Sequence, residues 1–253
     1  MNSLPIFLRW LRLGVLLLLL TSINTLAQTG PAWQRALVVG QAPNNDVAVA
    51  SSVVDASGNV VMVGYFSGVA SFGTTLLTSA GGVDVFVVKW SPATNGFVWV
   101  QQAGGVADDY PTVLAMQGPD LYIAGNFASP VIGFGNVSLA SAGSTDGFVA
   151  KLTDAGSTSR FIWAQGVGGS QVDDVTALAV TGGSVYAAGF FEGVVAMGGT
   201  VLTSGQNYSQ AFVAKLTDAG LTGAFAWARQ LGGISFNDAR GLAVEGTNVY
   251  VAG

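Results

Sequence analysis

The chain has 253 residues, 36 of them Gly, with no His and no Cys, and only 9% are charged. A Ser-His-Asp triad, a Cys nucleophile, a disulfide and a zinc site built on His or Cys are therefore excluded. The formal net charge of −5 lacks the basic surface that nucleic-acid binding needs, and the 50% hydrophobic content is enough for a sizeable core.

The first segment reads as a secretory signal peptide covering residues 1–27. Arg9 and Arg12 form a basic start, Leu13 to Leu20 an apolar run, and Thr25-Leu26-Ala27 a small-residue cleavage site. The competing reading is an uncleaved anchor, but the apolar run falls short of the roughly 18 residues a span needs. No Cys follows it, which excludes a lipoprotein anchor. Cleavage removes Arg9 and Arg12, leaving 9 − 2 = 7 basic residues against 14 acidic ones, a mature charge of −7. An exported chain without Cys must be stabilised by packing alone.

Residues 28–253 repeat. Trp33, Trp99, Trp163 and Trp227 are spaced by 66, 64 and 64 residues. Lys89, Lys151 and Lys215, in FVVKW, FVAKL and FVAKL, are spaced by 62 and 64. Gly64, Gly125, Gly189 and Gly253 close VVMVG, LYIAG, VYAAG and VYVAG at spacings of 61, 64 and 64. Three independent markers share one period, dividing the region into units near 33–98, 99–162, 163–226 and a partial 227–253.

One unit, taken from Asp173, shows the pattern. Val175 to Val180 predicts a first strand and Thr181-Gly182-Gly183 a turn. Val185 to Phe191 predicts a second strand, followed by a Gly-rich connection from Glu192 to about Ser209. Phe212 to Leu216 predicts a third strand, Thr217-Asp218-Ala219-Gly220 a turn, and Phe225 to Gln230 a fourth strand. β-Branched and aromatic residues bounded by Gly, Asp and Asn, without helical periodicity, carry these assignments. Four antiparallel strands per repeat predict an all-β fold, a β-propeller of four-stranded blades. Counted this way, the chain holds about three and a half blades. It is either part of a longer protein, the preferred reading, or one of two chains that complete a ring.

The pattern W-x(4)-GG-x(3,4)-D, then LAV, VYVAG and SxG-x-x-D-x-FVAKL, resembles the SBBP repeat, a family of bacterial β-propeller repeats. The resemblance covers nearly all of the mature chain and implies a secreted or cell-surface propeller without implying an activity. It also implies that further blades and a C-terminal sorting or attachment domain accompany such repeats. Two departures stand out: Val39-Gly40 replaces the Gly pair, and Gln210 stands where Asp84 and Asp146 do.

The recurrent residues are the candidate sites. The Trp residues are either an aromatic platform for sugars or packing between blades, and their regular recurrence favours packing. The pairs ending in Gly105, Gly169 and Gly233 are expected to supply positive φ at a tight strand exit. Asp46, Asp108, Asp109, Asp173, Asp174 and Asp238 recur at inter-blade linkers. Asp46, Asp109, Asp174 and Asp238 are the candidate Ca²⁺ ligands, since hard cations want clustered oxygens. The competing role, accepting backbone N–H bonds at a turn, is favoured because no Asp-x-Asp-x-Asp loop is present. Lys89, Lys151 and Lys215 are expected to snorkel from half-buried strands beside an Asp. Thr153-Asp154-Ala155-Gly156 and its counterpart at 217–220 read as turns only.

No catalytic residue and no required cofactor emerge. The only Glu residues are Glu192 and Glu245, and the Asp residues sit at repeating positions, whereas a catalytic site needs unlike groups in one place. The expectation is a non-catalytic scaffold or adhesion module with an extracellular glycan or protein ligand. The alternative is a carboxylate-based extracellular carbohydrate-active enzyme, a glycosidase or lyase.

Overall fold

The computed structural model describes residues 38–41, 46–205, 208–233 and 235–253. The signal-peptide assignment, the strand expected at Trp33 and the start of the first unit lie outside the described residues. All regular structure among the described residues is strand, in antiparallel sheets that curl into a half-barrel.

The strands fall into groups. The first is β1 (Val47–Val54), β2 (Val60–Phe72), β3 (Thr75–Ser91) and β4 (Gly96–Gly104), hydrogen-bonded in that order. The second is β5 (Asp109–Gln117), β6 (Asp120–Phe127), a small hairpin β7 (Val131–Phe134) and β8 (Val137–Ala140), then β9 (Asp146–Asp154) and β10 (Ser159–Gly169). The third repeats it with β11 (Asp173–Thr181), β12 (Ser184–Phe191), the hairpin β13 (Val194–Met197) and β14 (Thr200–Thr203), β15 (Gln210–Asp218) and β16 (Gly223–Leu231). Two strands of a fourth follow, β17 (Gly241–Glu245) and β18 (Asn248–Ala252).

The inner strands are nearly continuous apolar runs, interrupted by one lysine each in β3, β9 and β15, because both of their faces are covered. Leu121 to Gly125 in β6 and Phe148 to Leu152 in β9 are buried throughout. The chains of β16 and β18 instead alternate between exposed and half-buried over much of their length. Consecutive groups pack face to face and share a core. Val63, Val87 and Trp99 of the first meet Leu121, Phe148 and Leu152 of the second. On the other face of the second group, Tyr122, Val149 and Trp163 meet Val185, Phe212 and Leu216 of the third. A fully buried Phe or Leu contributes about 1.5–3 kcal/mol by leaving water.

The connection between second and third strands is not the loop that its Gly content suggests. It is a hairpin that leaves its own group and pairs with the last strand of the preceding one. Strand β7 pairs with β4 through Ala103↔Phe134 and Gly104↔Gly133, and β13 pairs with β10 through Gly168↔Ala196 and Gly169↔Val195. The first group has the same feature as extensions of β2 and β3, from Val69 to Thr78, with Ser71 bridged to Gln41. The first two sheets are therefore six-stranded, and each group is stitched to its predecessor. The turns Gly73-Thr74, Gly135-Asn136 and Gly198-Gly199 open on a glycine with φ of 64°, 59° and 61°, the geometry a two-residue hairpin turn needs.

Candidate functional site

The recurrent lysines form the most developed polar constellation. In the second group three strands lie side by side, and their register sets Tyr122, Lys151 and Trp163 in one row. The row faces Asp218 at the end of β15 in the third group. Lys151 Nζ lies 2.6 Å from Asp218 Oδ2, Tyr122 donates its hydroxyl to the same oxygen at 2.6 Å, and Trp163 Nε1 donates to Oδ1 at 3.1 Å. Asp120, at the start of β6 in the lysine's own group, closes the site at 2.9 Å. Gln165 Nε2 adds a bond to the Gly223 carbonyl at 2.8 Å.

The first group repeats the arrangement with Val61 in place of the tyrosine. Lys89 Nζ is 2.6 Å from Asp154 and 2.9 Å from Asp55, and Trp99 Nε1 donates to Asp154 Oδ1 at 3.0 Å. Gln101 Nε2 donates to the Ser159 carbonyl at 2.9 Å. Lys89 and Lys151 are 5% and 3% exposed, so these ammonium groups have left water almost entirely. Burial disfavours their charge, but hydrogen bonds to two carboxylates outweigh it, and both pKa values rise above the ordinary lysine value. Asp218 is likewise penalised by burial, yet Lys151, Tyr122 and Trp163 hold its carboxyl below the usual range. Burial and the Asp218 carboxylate push the Tyr122 hydroxyl far up, so it stays a donor.

The Thr-Asp-Ala-Gly segments are thus more than turns. Asp154 and Asp218 do cap their own turns, accepting from Gly156 N and Gly220 N at 2.8 and 2.9 Å. The same carboxylates also receive a lysine and a tryptophan of the preceding group. The signal that exposes this pairing is a lysine followed one repeat later by an aspartate, at separations of 65 and 67 residues.

A second polar constellation lies at the other end of the third strand in each group. Asp84 Oδ2 accepts from Ala80 N and Gln102 Nε2, and Asp146 Oδ2 accepts from Ala142 N. Next to them, Asp109 accepts from Ser129 N and Oγ, and Asp173 from Gly169 N and Glu192 N. Burial pushes Asp84 and Asp109 up, and it pushes Asp173 up to about 7, with the Asp146 and Glu192 charges adding to the effect. In the third group Gln210 and Asn237 occupy the corresponding places, and Gly232 packs against both.

The four candidate Ca²⁺ ligands do not come together. Asp109 is fully buried on Ser129, and Asp46 precedes β1, its N–H donating to Ser67 Oγ at 3.2 Å. Burial raises the Asp174 pKa, and Asp238 pairs with exposed Arg240 at 2.6 Å. Among the described residues no three carboxylates are grouped to hold a metal ion. Trp99 and Trp163 are buried between groups, whereas Trp227 is half-buried on β16 and Trp33 lies outside the described residues.

The Gly pairs act by close approach rather than by positive φ, with Gly232 as the exception at φ 112°. A Cβ at Gly105 would meet the Val131 carbonyl oxygen at 2.4 Å, and one at Gly169 the Val194 oxygen at 2.1 Å. The hairpin from the next group lies directly on them. Gly233 has open space around it.

A cleft between groups is lined by Gln101, Asn136, Ser159, Arg160 and Leu221 among others, with no carboxylate in its wall. No family model matches the chain, and no curated protein matches it.

Proposed function

We propose that this chain is an exported repeat scaffold of the β-propeller type, displayed at the cell surface or secreted. Its four-stranded groups act as blades and its loops as a non-catalytic binding or adhesion surface for a glycan or protein. The observation that carries this reading is where the recurrent charged residues are spent. Lys89, Lys151, Asp154 and Asp218 tie one group to the next, and Asp84, Asp109, Asp146 and Asp173 accept N–H bonds that hold loops. The resemblance to the SBBP repeat and the basic, apolar, small-residue order of residues 1–27 support the surface location. The cleft around Arg160, lined by both polar and apolar side chains and by no acid among the described residues, suits a ligand that is bound rather than cleaved.

One observation favours the alternative, a glycosidase or lyase. Asp173, with its pKa near 7 and Asp146 beside it, has the profile of a general acid. Against it, Asp173 is fully buried and Asp84 with Asp109 repeats the arrangement, which no single reaction centre requires. The test is a glycan array run beside a polysaccharide hydrolysis panel. Binding without turnover is expected. Turnover that disappears in Asp173→Asn would overturn the scaffold reading in favour of the enzyme.

A further inference from the structure

The third group builds the same polar row as the second, and nothing among the described residues fills it. Register places Tyr186, Lys215 and Trp227 side by side on β12, β15 and β16. Their geometry reproduces that of the filled site. The Tyr186 and Trp227 ring centroids are 6.2 Å apart, against 6.0 Å for Tyr122 and Trp163. Lys215 Nζ lies 5.5 Å from the Tyr186 ring, against 5.9 Å for Lys151 over Tyr122. Where Lys151 has Asp120 from its own group, the residue at the corresponding strand start here is Ser184. Among the described residues, no hydrogen bond or ion pair reaches the Lys215 ammonium or Trp227 Nε1, and the ammonium faces the Tyr186 ring. Arg229 stands where Gln101 and Gln165 reach to the next group, two residues beyond the tryptophan, and adds a second positive charge to the exposed face.

We propose that the Tyr186–Lys215–Trp227 row is a carboxylate socket that takes the aspartyl turn of a further unit of this repeat. The required ligand is read from the two filled sites: an Asp on a tight turn, with a backbone N–H two residues on, packed so that both carboxylate oxygens face the row. Lys215 supplies the charge, Trp227 Nε1 one neutral donor and Tyr186 the other, as Lys151, Trp163 and Tyr122 do for Asp218. A second copy of this chain stacked head to tail does not supply it. Its Asp154 and Asp218 are already engaged, and Pro92 occupies the matching turn position of its first group. The proposal rests on the two filled sites and holds whether or not the sheets close into a propeller ring.

Lysine acylation read by mass spectrometry tests it, because only the neutral amine reacts. In the chain as it stands, Lys215 should react well ahead of Lys89 and Lys151. Gly253 is the repeat counterpart of Gly189, so a copy of residues 190–231 is fused after Gly253 to present an aspartyl turn to the row. A docked carboxylate holds the ammonium charged and covers it, so Lys215 should become about tenfold slower in the extended chain. Replacing the Asp of the appended turn by Asn should restore the fast rate. Equal Lys215 rates with Asp and with Asn would overturn the proposal. Where the appended unit fails to fold, the peptide Thr-Asp-Ala-Gly-Leu-Thr-Gly is added to the unextended chain at millimolar concentration. Slowing of Lys215 by this peptide and not by its Asn form supports the socket, and no difference between the two overturns it.

Discussion

Asp173 sits at the meeting of β11 with the glycines of β10, fully buried, with a folded pKa raised to about 7 from 3.8. Between those two values the folded chain holds a proton that the unfolded chain has lost. Stability attributable to this group is therefore full at the acid end of that window and declines as pH rises through about 7. Asp84 and Asp109, also raised by burial, act in the same direction. Asp55 and Asp218 are lowered, so their contribution is lost only as pH falls below the usual carboxylate range. The expected result is a melting temperature that declines between about pH 5 and pH 8. Asp173→Asn should flatten that decline, whatever it does to stability at any one pH through the lost N–H acceptor. A thermal melt series whose slope is the same in both proteins would count against the buried carboxylate as its source.

At the scale of elements, the hairpins β7–β8 and β13–β14 depend on what lies beneath them. Strand β13 can pair with β10 only because Gly169 has no side chain to hold it off. Gly169→Val drives a branched side chain into the Val194 carbonyl, an overpacking change of the kind that costs about 1–3 kcal/mol. Amide exchange across β13 and β14 should accelerate with that loss. Gly166 lies on the same strand with open space around its Cβ position, so Gly166→Ala is the control and should leave exchange in the hairpin unchanged. Protection of β13 that survives Gly169→Val would show that the close contact is not what seats the hairpin.

For the whole molecule, the pairs Lys89–Asp154 and Lys151–Asp218 join groups that the chain separates by a full repeat. Lys151→Met leaves Asp218 and Asp120 buried or half-buried without a cation, a loss of the kind that costs about 3–5 kcal/mol. Lys215→Met, at the same place in the next repeat, removes no such pair and should fall within about 0.5 kcal/mol of the parent chain. Combining Lys151→Met with Asp218→Asn should cost less than the sum of the two single changes, since the second removes a charge the first had orphaned. Urea denaturation of the single and double variants checks this. Equal losses for Lys151→Met and Lys215→Met would mean that the pairs do not hold the groups together.

Period, strand positions and strand type were determined by the sequence alone. Trp, Lys and Gly markers recur at one spacing, and β11, β12, β15 and β16 lie where apolar β-branched runs bounded by Gly and Asp place them. Local chemistry was enough there, because the inner strands β12 and β15, covered on both faces, need a nearly continuous apolar run, while the outer β16 needs only alternation. Partnership was decided only by the tertiary structure. Val194–Met197 and Thr200–Thr203 are four-residue segments between glycines, and β10 makes the first of them part of a larger sheet. The Gly pairs look the same in sequence whether they serve positive φ or close approach, and the overlying hairpin chose the second. Asp218 reads as a turn residue from its neighbours, and it becomes one end of a buried ion pair because folding brings Lys151, 67 residues away, within 2.6 Å. Short-range pattern follows from the solvent each residue must leave. Which distant group it meets depends on how the sheets stack, and no local window contains that.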